Sequence, residues 1–127
     1  MDTGTHFKIK RMSPQFVVAH IDRSIEFYVK KLNFDIDFHY EDFYSGIVKD
    51  GYSIHFKSGK PLIQERKSRK NNEEPDIIFS VDRIEDLYEE ISRKSAEIVQ
   101  PLRVMPYGKE FYIADRDGYI IAFLEEA

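Results

Sequence analysis

The chain has 127 residues and 42% of them are hydrophobic, so it is long enough for one domain with a buried core and is not composed like a disordered protein. It contains no cysteine, which excludes disulfide bonds, thiolate metal ligands and a cysteine nucleophile. The net charge of −4 indicates no class of partner by itself, and no apolar run is long enough for a transmembrane helix or a signal peptide. We therefore expect a soluble, cytoplasmic protein.

The first half of the chain predicts the element order βαβββ. A short apolar strand, QFVVA, begins at Gln15 and is followed by a segment with apolar residues at helical spacing: Ile21, Ile25, Tyr28 and Leu32. Two further strands, FDIDFHY from Phe34 and FYSGIVK from Phe43, precede the stretch DGYSIHF at residues 50–56. Asp-Gly between two strands is typical of a two-residue hairpin turn of type I′.

Residues 57–70 form the most basic part of the chain. Six Lys or Arg residues stand against one Glu in KSGKPLIQERKSRK, which gives a local charge of +5. No aromatic residues are interleaved with these charges, so the pattern favours a solvated connector over a nucleic-acid contact. We interpret residues 58–75 as this basic connector and expect no nucleic-acid partner.

The second half repeats the element order of the first. The strand IIFSV from Ile77 is followed by a helix with apolar residues on one stripe: Ile84, Leu87, Tyr88 and Ile91. Then come EIVQP, a loop LRVMPYG, and the strands KEFYIAD and YIIAFLEE. The phrase DGYIIAF at residues 117–123 matches DGYSIHF at five of seven positions, with Ala122 in place of His55. We infer a single domain, 1–127, with module one at about 13–57 and module two at about 76–126.

Two segments resemble the vicinal oxygen chelate superfamily, which includes glyoxalase I, extradiol dioxygenases, and fosfomycin- and bleomycin-resistance proteins. They are IDRSIEFYVKKLNFDIDF, with Asn33 where the family usually has Gly, and MPYGKEFYIADRDGYIIAFLEE, with Arg116 in place of a Pro. The resemblance covers roughly residues 13–126. It implies an α+β fold in which two tandem βαβββ modules form a half-barrel cup of the glyoxalase/bleomycin-resistance type. It also implies a homodimer, because members commonly complete their cups with a second subunit.

The resemblance places metal ligands at four positions, on the first and last strand of each module. These are Ser13, His55, Asp76 and Ala122 in this chain. Only His55 and Asp76 are good ligands, whereas a catalytic metal normally needs three protein ligands. We therefore expect the four positions to be vestigial, with no metal and no other cofactor.

Strand register predicts which residues line the cup. With Asp50-Gly51 as the turn, His55 lies opposite Gly46, Ser53 opposite Val48, and Lys57 opposite Tyr44. In module two we place Ile120, Ala122 and Leu124 on the same face as Phe111 and Ile113, with the Tyr107-Gly108 loop over the mouth. The predicted ligand-binding residues are Tyr44, Val48, Ser53, His55, Lys57, Tyr107, Phe111, Ile113, Ile120 and Leu124. The alternative is that Ile113, Ile120 and Leu124 simply fill core.

These observations favour a metal-independent protein that binds a small organic molecule, an antibiotic or a metabolite, in the cytoplasm and without a membrane partner. The alternative function is a metal-dependent lyase, isomerase or dioxygenase of the same superfamily, with His55 and Asp76 as ligands. A third interpretation is a protein-interaction module whose cup is closed. Whether any reaction is catalysed stays open, since His55 could orient a ligand or act as a general base.

Overall fold

A computed structural model describes residues 4–127 and confirms the α+β fold of two βαβββ modules. Module one comprises β1 (Gln15–Val18), α1 (Ile21–Leu32), β2 (Asp35–Tyr40), β3 (Tyr44–Lys49) and β4 (Tyr52–Ser58). After helix α2 (Ile63–Asn71), module two comprises β5 (Ile77–Ser80), α3 (Ile84–Arg93), β6 (Glu97–Met105), β7 (Gly108–Ala114) and β8 (Ile120–Glu126). None of the helices in the described residues is both long and apolar enough to cross a membrane.

Each module forms one open, four-stranded sheet. The strand orders are β1-β4-β3-β2 and β5-β8-β7-β6, so the two sheets have the same topology. The first strand of each module pairs parallel to the last, and the other pairs are antiparallel. Because β1 and β5 each pair on one side only, both are edge strands.

One hydrophobic core is shared by the helix-facing sides of both sheets. In module one, the fully buried ring of Tyr28 on α1 lies 5.3 Å from that of Phe56 on β4. Across the modules, the rings of Phe34 and Phe79 are 6.0 Å apart. Fully burying a side chain of this size is worth about 2 kcal/mol, so the shared core holds the two modules together.

The first hairpin has the predicted two-residue turn. Asp50 and Gly51 have φ angles of 53° and 84°, as a type I′ turn requires. Lys49 pairs directly with Tyr52, which sets the register of the rest of the hairpin. The predicted pairs are confirmed: Tyr44 with Lys57, Gly46 with His55, and Val48 with Ser53.

The second hairpin has one more turn residue than the sequence phrase suggests. Ala114 pairs with Ile120, and the backbone N–H of Asp115 donates to the carbonyl of Tyr119 at 2.9 Å. The Asp115 carboxylate accepts the N–H groups of Asp117 and Tyr119 at 3.0 and 2.9 Å. Residues 116–118 therefore form a three-residue loop, and its last residue, Gly118, has a φ of 91°.

This longer loop overturns the predicted position of Phe111 and Ile113. A shift of one residue moves a strand's side chains to the opposite face. Phe111 and Ile113 therefore lie in the shared core, where the Phe111 ring is 5.0 Å from the Phe123 ring. The residues that share a face with Ile120, Ala122 and Leu124 are Glu110, Tyr112 and Ala114.

Two segments that we predicted to lack regular secondary structure contain a helix and a strand. The basic connector, 58–75, contains α2, and the side chain of Arg66 on this helix is buried. The predicted loop at residues 102–108 is mostly strand, because β6 continues to Met105 and leaves only Pro106 and Tyr107 as the turn.

Candidate functional site

The candidate site is the face of each sheet that points away from the helices, which we call the cup face. In module one, Ile47, Ile54 and Phe56 point into the core, so their neighbours along the strands occupy the cup face. These neighbours include five of the predicted ligand-binding residues: Tyr44, Val48, Ser53, His55 and Lys57.

His55 is held by Tyr44 through one of its ring nitrogens. The Tyr44 hydroxyl lies 2.7 Å from Nδ1 of His55, and the two rings meet edge to face at 5.5 Å. The other ring nitrogen, Nε2, is buried and has no hydrogen-bond partner among residues 4–127. A buried polar atom without a partner costs free energy, so a ligand group that bonds to Nε2 would be favoured.

The space beside Gly46, opposite His55, is filled by Phe38. A Cβ atom added to Gly46 would lie 2.4 Å from Cε1 of the Phe38 ring. This ring is 5.0 Å from the ring of His55 and 5.7 Å from that of Tyr44. Tyr40 extends the group at 5.5 Å from Phe38. We call Phe38, Tyr40 and Tyr44 the aromatic wall. Because Nε2 is buried, a ligand reaches it only if the side chains packed around His55 move.

The cup face of module two carries a buried carboxylate where we expected an apolar surface. Glu110 accepts hydrogen bonds from Nε and Nη2 of Arg103 at 2.8 and 2.6 Å and from the Tyr107 hydroxyl at 2.5 Å. The Tyr112 hydroxyl donates to it at 3.3 Å. Burial alone would raise the pKa of Glu110, but the hydrogen bonds from Tyr107 and Arg103 outweigh it and lower that pKa. Glu110 is therefore a charged group at neutral pH.

Sequence reasoning missed Glu110 and Tyr112, although a usable signal was present. Glu110, Tyr112 and Ala114 alternate in KEFYIAD and so share one face of the strand. Asp115 follows directly, and an Asp at a strand end that can accept backbone N–H groups indicates a longer turn. With the turn begun at Asp115, the register places both polar side chains on the cup face.

The other predicted residues of module two differ in accessibility. Ile120 is fully buried in a second, small cluster with Tyr112, Ala114 and Ala122. Filling of core, the alternative we considered, thus describes both Ile113 and Ile120. Leu124 is half-buried, and Tyr107 lies at the β6–β7 turn with its hydroxyl folded back to Glu110. A contact between Tyr107 and a ligand stays a prediction.

Residues from the two modules line one open cavity of about 390 Å³. Ser53 reaches it from module one, and Ile78 on β5 reaches it from module two. Met12 and Pro14, just before β1, complete its wall. A cleft of this size between two sheets is in the range of small-molecule sites in proteins.

The four positions expected to be vestigial do not fit a metal ion. Oγ of Ser13 is hydrogen-bonded to Oγ of Ser53 at 2.5 Å. Oδ2 of Asp76 lies 2.7 Å from Nη1 of Arg66 and accepts the backbone N–H of Ile120 at 2.8 Å, while Oδ1 is 3.4 Å from Nε of Arg69. Within residues 4–127, no three His, Asp or Glu side chains form a group that could hold a metal.

The sequence profile of the Glyoxalase/Bleomycin resistance protein/Dioxygenase superfamily matches residues 8–123. No curated protein matches the sequence.

Several solved structures have the same fold over nearly the whole chain. The bleomycin-binding protein from Streptomyces verticillus, complexed with copper(II)-bleomycin, is 18% identical with a TM-score of 0.72, over 96% of this chain and 100% of its own. TnmS3, an antibiotic-binding protein from a Streptomyces species, is 13% identical with a TM-score of 0.76, over 96% and 100%. The fosfomycin resistance protein FosX from Listeria monocytogenes is 15% identical with a TM-score of 0.71, over 97% and 96%.

Proposed function

Because the chain belongs to the Glyoxalase/Bleomycin resistance protein/Dioxygenase superfamily, we propose that it is a metal-independent member that binds and sequesters a small organic molecule. Two of the structures with this fold are described as a bleomycin-binding protein and an antibiotic-binding protein. An antibiotic, or a metabolite of similar size, is the class of ligand that we propose for this chain.

The proposal rests mainly on the partners of the Asp76 carboxylate. Its carboxylate already has two arginine partners and a backbone N–H, so its charge and its acceptor positions are satisfied within the chain. A divalent ion would have to displace Arg66, which also lies over the Tyr119 ring at 4.1 Å. Ala122 offers no donor atom at the fourth position, so a metal would be held almost entirely by water.

The cup faces supply groups that suit an organic ligand. The aromatic wall offers flat apolar surface, and Nε2 of His55 offers one hydrogen-bonding group with no partner in the described chain. On module two, Glu110 adds a negative charge held by Arg103. Mostly apolar walls with a few fixed polar groups are typical of small-molecule sites.

A binding experiment with two matched histidine variants tests the proposal. Protein purified without chelator should contain no stoichiometric zinc, nickel, manganese or iron, and calorimetric titration should show no tight site for any of them. In a thermal-shift screen of antibiotics that includes bleomycin, a ligand that binds only the folded state should raise the melting temperature. We expect His55→Ala to remove that increase and His39→Ala, at an exposed position on β2, to leave it intact.

The metal measurements distinguish a binding protein from a metal-dependent enzyme. One equivalent of metal per chain, lost in His55→Ala and retained in His39→Ala, would contradict the proposal and support the metal-dependent alternative. A ligand whose effect is the same in both variants would place binding outside the cup face of module one.

A further inference from the structure

The internal repeat creates two equivalent junctions between the modules, each at the place where a tyrosine of one module meets the edge strand of the other. Side-chain contacts close only one of these junctions. Tyr119 follows Tyr52 by 67 residues and Phe79 follows Phe16 by 63, so each module offers a tyrosine to the edge strand of the other. In the first junction Tyr119 meets β1. In the second junction Tyr52 faces β5.

Tyr119 closes the first junction completely. Its ring is stacked on Phe16 with centroids 4.1 Å apart and planes 2° from parallel. Its hydroxyl accepts the N–H of Val17 at 2.9 Å and donates to the carbonyl of the same residue at 2.8 Å. The carboxylate of Asp117 accepts the N–H of Ala19 at 3.0 Å. The free edge of β1 is thereby satisfied by a phenol ring and a carboxylate.

The second junction lacks these contacts. The Tyr52 side chain is 71% exposed and, in the part of the chain that the structure describes, makes no side-chain hydrogen bond and no ring contact. Instead a cavity of about 160 Å³ lies between Tyr52 and β5. Most of its other lining residues are apolar: Leu32, Phe34, Phe79, Val81, Leu87 and Phe123.

The edge of β5 at this cavity offers the same hydrogen-bonding groups as the edge of β1. Ser80 lines the cavity and is the counterpart of Val17 in the repeat. Peptide groups along a strand point alternately to either side. Since the N–H of Val81 bonds to the carbonyl of Leu124 on β8, the N–H and carbonyl of Ser80 point away from β8, along the free edge.

The different turns explain why Tyr52 does not close its own junction. Tyr52 is held in the hairpin by direct pairing with Lys49 next to a two-residue turn. Tyr119 lies before β8 begins, in the longer loop, and Arg66 packs on its ring at 4.1 Å. The extra turn residue and the arginine give Tyr119 a position that Tyr52 has no equivalent means to reach.

We propose that the cavity beside β5 is a second binding site, for a phenolic group. The ring would pack against Phe79 as Tyr119 packs against Phe16, and the hydroxyl would bond to the N–H and carbonyl of Ser80. An apolar cavity of this size can hold a single aromatic ring. This cavity adjoins the 390 Å³ cleft and shares Tyr52, Phe79 and Ser80 with it. The rest of its apolar wall lies on the helix-facing side, and the cup-face residues Ser53 and His55 do not line it.

The test uses p-cresol, which is the side chain of tyrosine as a free molecule, and follows methyl signals by NMR. We expect saturable binding with the largest shifts at Leu32, Val81 and Leu87. The methyl groups of Val48 on the cup face of module one and of Val99, which packs on the cup-face cluster of module two, serve as the internal control and should not move. Toluene lacks the hydroxyl and should bind at least about tenfold more weakly, because the strand edge would then stay unpaired.

Two variants complete the test. Leu87→Trp fills the cavity and should weaken p-cresol binding at least about tenfold, while His55→Ala should not change it. The proposal is wrong if p-cresol does not saturate, if the largest shifts occur at Val48 and Val99, or if toluene binds equally well. It is also wrong if only the Tyr52→Ala variant binds p-cresol, because the Tyr52 side chain would then occupy the cavity in the wild-type protein.

Discussion

Asp115 links the two modules through a carboxylate that is almost fully buried. It accepts a hydrogen bond from the Tyr28 hydroxyl on α1 at 2.7 Å and holds the turn of the second hairpin through the N–H groups of Asp117 and Tyr119. Burial raises the pKa of Asp115 from its ordinary value of 3.8 to about 6, and the hydrogen bonds only partly offset this effect.

This raised pKa predicts a specific pH dependence of stability. The folded chain binds a proton at Asp115 more tightly than the unfolded chain, so this contribution to stability is complete below pH 3.8 and is lost as the pH rises through about 6. The total effect is on the order of 3 kcal/mol. Asp115→Asn cannot titrate, so urea unfolding between pH 4 and 7 should show a flatter decline than in the wild type.

The matched control is Asp50→Asn, at the exposed turn of the first hairpin, which should keep the wild-type slope. An unchanged slope in Asp115→Asn would mean that another group causes the decline.

At the level of single residues, the sequence predicted partners along strands better than contacts between elements. His55 opposite Gly46 follows from the turn alone. The position of Phe38 does not, because a bulge between Ile36 and Phe38 in β2 decides where that ring points. The partners of Asp76 were also missed, since Arg66 reaches it from a helix that has no apolar stripe in the sequence.

Among the secondary-structure elements, α2 shows how ion pairs can position a helix. Its sequence, IQERKSRKN, is polar on all sides and would be marginal in isolation. The helix is anchored instead by Arg66 and Arg69 on Asp76 and by Lys70 on Glu97. This dependence on partners distant in sequence is why the periodicity of residues 58–75 predicted only a connector.

Removing the central anchor should therefore destabilise the protein. Arg66→Gln loses the bond to Asp76 and the packing on Tyr119, in a place where both charged side chains are nearly buried. We expect the free energy of unfolding to fall by about 2 kcal/mol, measured by urea denaturation. Lys67→Gln, exposed on the same helix, should change it by less than about 0.5 kcal/mol. Equal effects of the two substitutions would show that the Arg66 contacts contribute nothing specific.

The two hairpins show the limit of a repeated sequence phrase. Asp-Gly-Tyr occurs in both, and the type I′ turn predicted from it is present in the first. In the second, the carboxylate of Asp115 accepts the backbone N–H of Tyr119, and this hydrogen bond favours a longer loop. Because the fold tolerates either turn, the order of the elements was predictable for both modules. The face of the sheet on which each side chain of β7 lies was not.

For the whole molecule, we predict a homodimer. Large apolar side chains stay exposed on the segment before β1 and at the β2–β3 turn: Phe7, Ile9, Met12, Tyr40 and Phe43. Apolar surface beside open sheet edges is commonly covered by a second subunit. Light scattering at micromolar concentration should give twice the chain mass of 15.1 kDa. A mass of 15.1 kDa that does not increase with concentration would contradict this prediction.

The unequal closure of the two module junctions also predicts how the modules would separate. Tyr119, Asp117 and Asp115 fasten one side with hydrogen bonds, while the side at Tyr52 has none of their counterparts among the described residues. Any separation of the modules should therefore turn about the Tyr119 side as a hinge and widen at β5. Amide hydrogens would record the asymmetry: that of Val17, bonded to a phenol oxygen, should exchange with solvent more slowly than that of Ser80, its counterpart in the repeat.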